Sequence, residues 1–430
     1  MDPGSGRVPK WSQLRAFDSV AATGTMTGAA ARLHLTQTAI TRSIRALERD
    51  LQTRLMERTH RGSFLTPEGQ ILRRRTHRAF AQIEAALGGS IGLDPASDPV
   101  ARLSRKLSGP HLRSLLAIAR AGNFRRAAAV LGVSEPSLNR PALAIEKLLG
   151  ISLYRRMPDG TGLTAGGADL ARRIALAMNE IETGVEELAA RPGMARMAVG
   201  VLPLTPQGLL TRAVEELLNK NPRARVSVQQ ANYDTLIAAM RSGQIDLIFG
   251  ALRAPPPFDD IREEAIFDDP YCIVCRTGHP LTRLARVTRA DLRRFDWIFP
   301  TQPLPRRAVV DDLIAKWRLS ARMQFETNSL AAIVSALAAS DRISLLPREF
   351  VRVEIGAGTL AILDIRVPHP RRRIGIASRS NWLPTALQSE FLSLLRSLRS
   401  AAMPQAGKYI NDGDTRHMAT SSRDKHNSVM

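Results

Sequence analysis

The stretch Ala29-Ala30-Ala31-Arg32-Leu33-His34-Leu35-Thr36-Gln37-Thr38-Ala39-Ile40-Thr41-Arg42 decides how this chain is read. Small alanines let a second helix cross the first closely. His34-Leu35 makes a tight turn, and the Thr36 hydroxyl can accept from a free amide of the turn that follows, as an N-cap does. A helix from Gln37 to about Leu51 follows, with Ile40, Ile44, Leu47 and Leu51 forming one buried stripe. Its other face, near the start, carries Gln37, Thr38, Thr41, Arg42 and Arg45. Upstream, Leu14, Phe17, Val20 and Ala21 mark an earlier helix that Gly24 ends, and another begins near Met26. Two helices joined by a short turn, the second with hydrogen-bonding side chains at its exposed N-terminal end, describe a helix-turn-helix.

Downstream, Leu55 to Arg58 and Ser63 to Leu65 read as short strands around Thr59-His60-Arg61-Gly62, a β-wing. Thr66-Pro67-Glu68 opens a long helix to about Leu87, with proline in the first position, where its missing N–H costs nothing. The unit then recurs. Residues 14–84 reappear without a gap from Leu112, an offset of 98, with about a third of the positions identical. Gly24 falls on Gly122, Arg42 on Arg140, Glu48 on Glu146, and Leu65-Thr66 on Leu163-Thr164. An ungapped repeat of this length is a duplicated structural unit.

The run from Ala29 to Arg42, with Leu47-Glu48, Leu55-Met56-Glu57-Arg58 and Leu65-Thr66-Pro67-Glu68-Gly69, resembles the winged helix-turn-helix of LysR-type transcriptional regulators. The resemblance implies a recognition helix in the major groove, a wing over the minor groove or backbone, and a linker helix that pairs two modules. Carried over residue by residue, it puts Gln37, Thr38 and Thr41 on base edges and Arg42 on phosphate, with Thr36 and Arg45 beside them and Arg61 as the wing cation. The chemistry agrees. Gln can bond an adenine edge bidentately, and Arg supplies a charge-assisted phosphate contact.

The second copy keeps its apolar core and Arg140, with Ser134 as a fair cap and Ser137 and Asn139 at the neighbouring reading positions. Glu135 replaces Gln37, and the wing Met157-Pro158-Asp159-Gly160 loses the cations His60 and Arg61. Pro141 falls inside the expected helix, where it removes a bond to Ser137 and predicts a kink, at a cost of about 3 kcal/mol. These changes suggest an intramolecular pseudo-dimer, with the long helices 67–88 and 165–190 paired and Gly88 to Pro99 as the connecting linker.

From Met197 strands alternate with helices, the pattern of a parallel sheet covered on both faces. Leu236 with Ser242 to Gly250, then Thr277 to Leu281, then Ile343 to Pro347, resemble the effector-binding domain of the same family. That implies two lobes, as in periplasmic binding proteins: lobe one at 196–275 and 376–400, lobe two at 276–375. Loops at strand ends and helix N-termini facing the cleft become the effector candidates, namely Leu204, Thr205, Pro206, Thr301, Asn328 and Ser329. Their free amides and nearby arginines favour a small anionic effector.

A formal charge of +21 suits a polyanionic partner, although basic residues are spread along the chain rather than gathered in one region. No apolar run is long enough to span a bilayer, and Met1 to Lys10 lacks a signal-peptide core. Cys272 and Cys275 lie on one predicted strand with side chains on opposite faces, which speaks against a metal or redox pair and fits a reducing cytoplasm. His279, in a Gly-His-Pro turn, reads as structural, and no nucleophile elbow, carboxylate pair, phosphate loop or metal spacing is present.

The sequence thus predicts an α/β multidomain chain. A winged helix-turn-helix module at 10–90 and a divergent one at 108–192 precede the two-lobed effector domain at 196–400, and 401–430 form a disordered tail. It reads as a cytoplasmic, homo-oligomeric, non-enzymatic regulator without cofactor, metal or membrane attachment. Duplex DNA and a small molecule are its partners, with room for contact to RNA polymerase. The competing reading is a solute-binding or enzymatic two-lobed domain whose helical modules serve only oligomerisation.

Overall fold

The computed structural model describes residues 9–59, 62–189, 195–253, 255–302, 304–319, 324–368 and 372–402. Arg61 of the wing and residues 403–430 of the predicted tail lie outside the described residues, whereas Ala401 and Ala402 end a helix.

The first module comprises α1 (Trp11–Thr23), α2 (Met26–Leu33), α3 (Gln37–Leu51), β1 (Met56–Thr59), β2 (Gly62–Leu65) and α4 (Pro67–Ile91). A helix not foreseen from the sequence, α5 (Asp98–Lys106), comes next. The second module comprises α6 (Gly109–Ala121), α7 (Phe124–Leu131), α8 (Glu135–Leu149), β3 (Tyr154–Met157), β4 (Gly160–Leu163) and α9 (Ala165–Ala189). Every element starts 98 residues after its counterpart, from Trp11 and Gly109 to Pro67 and Ala165. The fastenings repeat too. Glu48 Oε1 accepts from the amides of Leu55 and Met56 (2.9 and 3.2 Å), and Glu146 Oε1 from those of Leu153 and Tyr154 (2.7 and 3.0 Å). Thr66 and Thr164 cap the long helices, and three residues on the chain passes so close that only glycine fits. A Cβ on Gly69 would lie 2.0 Å from the Leu55 carbonyl oxygen, and one on Gly167 2.3 Å from that of Leu153.

One expectation about the helical region needs correction. The stretch Gly88 to Pro99 is not simply a linker: α4 continues to Ile91, and α5 packs back on α4 with Val100 and Ser104 buried. Pro99 stands in the first turn of α5, where proline is tolerated, and Asp98 with Arg105 and Lys106 complements the helix dipole. Pro141 lies inside α8, which runs through it to Leu149 with the same length as α3. Burial of Leu138, Ala142, Ile145 and Leu149 holds the turn that lacks one backbone bond.

The helices α4 and α9 pack against each other along their lengths. They run antiparallel, since Arg75 lies against Gly184 while Gly89 approaches Arg173. Leu72, Ala79, Ile83, Ala86 and Leu87 of α4 share one core with Leu170, Ala171, Ile174, Ala177 and Ile181 of α9. Each fully buried Leu or Ile adds about 1.5–3 kcal/mol, so the two modules are firmly paired within one chain.

The C-terminal region comprises β5 (Arg196–Val201), α10 (Gln207–Lys220), β6 (Arg225–Gln230), α11 (Tyr233–Arg241), β7 (Leu247–Ala251), β8 (Ile261–Asp269), β9 (Tyr271–Arg276) and α12 (Arg289–Leu292). It continues with β10 (Ile298–Phe299), α13 (Pro305–Trp317), β11 (Phe325–Glu326), α14 (Leu330–Ala339), β12 (Ser344–Pro347), α15 (Arg352–Gly356), β13 (Leu360–Ile362), β14 (Arg372–Arg379) and α16 (Ala386–Ala402). The lobe-one sheet has the order β6-β5-β7-β14-β8 and is mixed rather than parallel, because returning β14 runs antiparallel to both neighbours. In lobe two β12-β9-β13 pair antiparallel, and a bridge from Trp297 to Ile343 joins the β10-β11 pair to them. The lobes therefore change over at Pro270 and again before Arg372, not after residues 275 and 375. Register decides this, since β9 pairs only within lobe two and all of β14 within lobe one.

Lobe one is seated on the helix pair. Arg75 of α4 donates to the Leu383 carbonyl (2.9 Å), Arg78 donates to that of Asn381, and Arg196 pairs with Glu186 of α9 (2.6 Å).

Candidate functional site

At the start of α3, Thr36 Oγ1 accepts from the Ala39 amide (3.2 Å), while Ile40, Ile44 and Leu47 are buried. Thr36, Gln37, Thr38, Arg42 and Arg45 are exposed and Thr41 is half-buried. The structure brings these residues together on one outward face, and neither Arg42 nor Arg45 pairs with a carboxylate among the described residues. Beside the wing and the α1–α2 turn, an open cavity of about 900 Å³ gathers Arg73, Arg74 and His77 of α4 with Thr25 and Ser63. Of those three α4 residues only Arg74 recurs in the second copy, as Arg172; Ala171 and Ala175 stand in the other places.

In the second module Ser134 and Ser137 bond one another (2.8 Å), and Ser134 also caps α8. Arg140 is exposed, whereas Asn139 is half-buried with its Oδ1 lacking a partner. Where the first copy exposes Arg32 and Arg45, the second exposes Val130 (79%) and Leu143 (52%). The wing residue Asp159 is tied back by Asn123 Nδ2, which donates to its carbonyl (3.0 Å). At two positions the same backbone thus presents the cations Arg32 and Arg45 in one copy and the apolar Val130 and Leu143 in the other, while both copies expose an arginine at the shared position, Arg42 and Arg140.

Leu204, Thr205 and Pro206 follow β5 where the two lobes adjoin. Leu204 has a left-handed φ of 62°, a strain of about 1–3 kcal/mol for a non-glycine residue. Its carbonyl accepts from Arg372 Nη2 (3.1 Å), and its side chain packs on the lobe-two cluster with Leu330 and Ile333. Thr205 is buried with its hydroxyl donated to Leu202 O (2.6 Å), and Pro206 is buried beside it. On the far side Thr301 is half-buried, while Asn328 and Ser329 are exposed, with Ser329 capping α14. Sequence reading missed Arg306 and Arg372. Arg306 is 4% exposed and donates from Nη1 to Leu345 O (3.0 Å). A run of arginines around a short apolar stripe gave no sign of which would turn inward.

Cys272 and Cys275 are buried on opposite sides of β9, in different clusters, and burial pushes both thiols up to about 12. His279 is fully buried. Its Nδ1 accepts from the Leu281 amide (3.1 Å) and its Nε2 lies 3.1 Å from the Asp341 carbonyl, as befits a structural residue.

A duplicated winged module joined to a two-lobed ligand-binding domain defines a ligand-responsive DNA-binding regulator. Residues 11–70 and 110–168 match the family "Bacterial regulatory helix-turn-helix protein, lysR family", and residues 190–399 match "LysR substrate binding domain". The HTH-type transcriptional regulator GalR of Pseudomonas putida is 27% identical over 397 residues, spanning 91% of this chain and 98% of its own length. PcaQ of Agrobacterium fabrum is 26% identical over 317 residues, 73% of this chain and 99% of its own. A full-length OxyR variant from Pseudomonas aeruginosa superposes with a TM-score of 0.52 at 21% identity, covering 68% of this chain and 94% of that one, a likeness of fold. The chain belongs to the LysR family of transcriptional regulators. It is a DNA-binding transcriptional regulator with an effector-binding domain, and its partners are duplex DNA, a small-molecule effector and further copies of itself. Among the described residues no helix is long and apolar enough to cross a membrane.

Proposed function

We propose that the first module is the principal operator reader. Gln37, Thr38 and Thr41 meet base edges, Arg42 and Arg45 meet phosphates, and Thr36 fixes the helix start; Arg61 is the wing cation. The second module pairs with the first through α9 and meets the duplex mainly through Arg140, with Ser134, Ser137 and Asn139 beside it. The observation that carries this reading is the exposed row of Gln37, Thr38, Arg42 and Arg45 on α3, where α8 has Glu135 in place of Gln37 and Leu143 in place of Arg45. The effector lies in the cleft between Leu204, Thr205 and Pro206 on one side and Thr301, Asn328 and Ser329 on the other. Contact with RNA polymerase, a cytoplasmic location and the absence of catalysis belong to the same proposal.

Duplex binding measured against salt tests it. Arg42→Ala should lower affinity for all duplexes and flatten the salt slope by about one. Gln37→Ala should cost about 1–3 kcal/mol and relax preference at one base pair. Duplex affinity indifferent to salt and to both changes would sink the assignment.

A further inference from the structure

Adjacent arginines at the start of α13 live in opposite circumstances. Arg307 is held by Asp311 (2.8 and 3.0 Å) and Glu326 (2.6 Å). Arg306, 4% exposed, has no carboxylate within ion-pair distance among the described residues; Leu345 O takes one of its N–H groups, and its Nε is buried without a partner. Across the hinge Arg372 repeats the pattern. Its Nη2 donates to Leu204 O, its Nε is buried without a partner, and its guanidinium lies 5.8 Å from the centre of the Tyr271 ring.

Burial, and then the neighbouring Arg372 charge, hold Arg306 down to about 10, although Tyr271 acts the other way; at neutral pH it is still a cation. The acids in this region are Asp269 and Glu349. Asp269 Oδ1 accepts from the Glu349 amide (3.0 Å), its Oδ2 is buried without a partner, and burial raises it to about 6. Counted as formal charges, Asp269 and Glu349 against Arg306, Arg348 and Arg372 leave net positive charge at the hinge. Buried charged donors without acceptors are costly, and a planar carboxylate is the group whose geometry matches a guanidinium fork.

We propose that Arg306 and Arg372 form a carboxylate seat where the two lobes meet, so that the effector is a small organic acid whose acid group bridges lobe two and the first residue of β14. This rests on the reading of the cleft as the effector site. Because Arg372 also holds the strained Leu204 carbonyl, an arriving carboxylate competes for the contact that ties the lobe-one loop to the hinge.

Calorimetric titration of the full chain tests the seat, with benzoate, succinate, neutral benzamide and inorganic phosphate as probes. The proteins are wild type, Arg306→Met, Arg372→Met, Arg372→Lys and a steric block of the far rim, Ser329→Trp. The seat predicts that benzoate or succinate binds and benzamide does not. It further predicts that each methionine variant weakens binding at least about tenfold, that Arg372→Lys recovers part of the loss, and that Ser329→Trp blocks entry. Should Arg306→Met fail to fold, half-buried Arg372 carries the test through its two variants.

Undiminished binding in the methionine variants, with Ser329→Trp still blocking, overturns the seat and leaves the cleft standing. Binding indifferent to all the variants overturns the cleft as well. Benzamide matching benzoate, phosphate binding alone, or no carboxylate binding up to about 10 mM each defeats the organic-acid assignment.

Discussion

Arg75 and Arg173 occupy the same place in the two copies of one unit, 98 residues apart, yet their surroundings are opposed. Arg75 is 1% exposed, pairs with Glu180 (3.0 Å) and Glu187 (2.7 Å) of the partner helix, and reaches the Leu383 carbonyl of lobe one. The Arg173 side chain is 44% exposed and pairs with Asp169 of its own helix (2.7 Å). The contrast recurs between α2 and α7, with Arg32 against Val130, and between α3 and α8, with Arg45 against Leu143. Duplication preserved the backbone and its fastenings, while substitution put Arg32 and Arg45 where the other copy has Val130 and Leu143, and Arg75, unlike Arg173, became part of the junction to the effector domain. Identical residues in identical elements therefore have unequal energetic weight, set by what packs on them.

The largest test of that asymmetry is Arg75→Met against Arg173→Met. Removing Arg75 leaves Glu187 without its partner and buried Glu180 with Arg78 alone (3.2 Å), and should cost about 3–5 kcal/mol in chemical denaturation, whereas the Arg173 change should cost under about 1 kcal/mol. Equal losses would dissolve the contrast. Next in size is exchange of the helix prolines. Ser43→Pro should destabilise the first module by about 3 kcal/mol, and Pro141→Ser should return part of that amount to the second, read from melting temperatures.

In duplex binding, Gln37→Ala should lose about 1–3 kcal/mol, while Glu135→Ala should change affinity little or raise it slightly, since it removes a carboxylate from near the phosphates. A Glu135→Ala loss as large as that of Gln37→Ala would make α8 a full second reader. The smallest effect is expected from Val130→Arg with Leu143→Arg, which restores the first copy's cations. If α7 and α8 lie along the duplex, each steepens the salt slope by up to about one; no change places that face away from DNA.

The winged modules were legible because a turn, a cap and an apolar stripe at period 3.6 coincide twice at one offset. Agreement between copies fixed the strand and helix starts nearly to the residue. Elsewhere the signal was local and ambiguous. Pro99 looked like a linker marker but stands in the first turn of α5, and the two-residue strands β10 and β11 are too short to leave a pattern. The helix α13 was hidden because Arg306 and Arg307 turn inward, putting charge where an apolar stripe was sought. The arginine seat was invisible for the same reason: which guanidiniums are buried depends on strands that meet only after the chain has crossed between lobes and returned. The predicted parallel sheet became mixed through β14, whose direction is set by that return.

The antiparallel α4–α9 pair has a further consequence. When two heads are brought together by association of separate subunits, their pairing weakens on dilution and both must carry one sequence. Here the tether keeps the mate at a high effective concentration whatever the amount of protein, and each head can mutate alone. A single chain can thus fit a lopsided target whose two sides share no palindrome, and its occupancy at limiting protein need not show the steep concentration dependence of a subunit-assembly step.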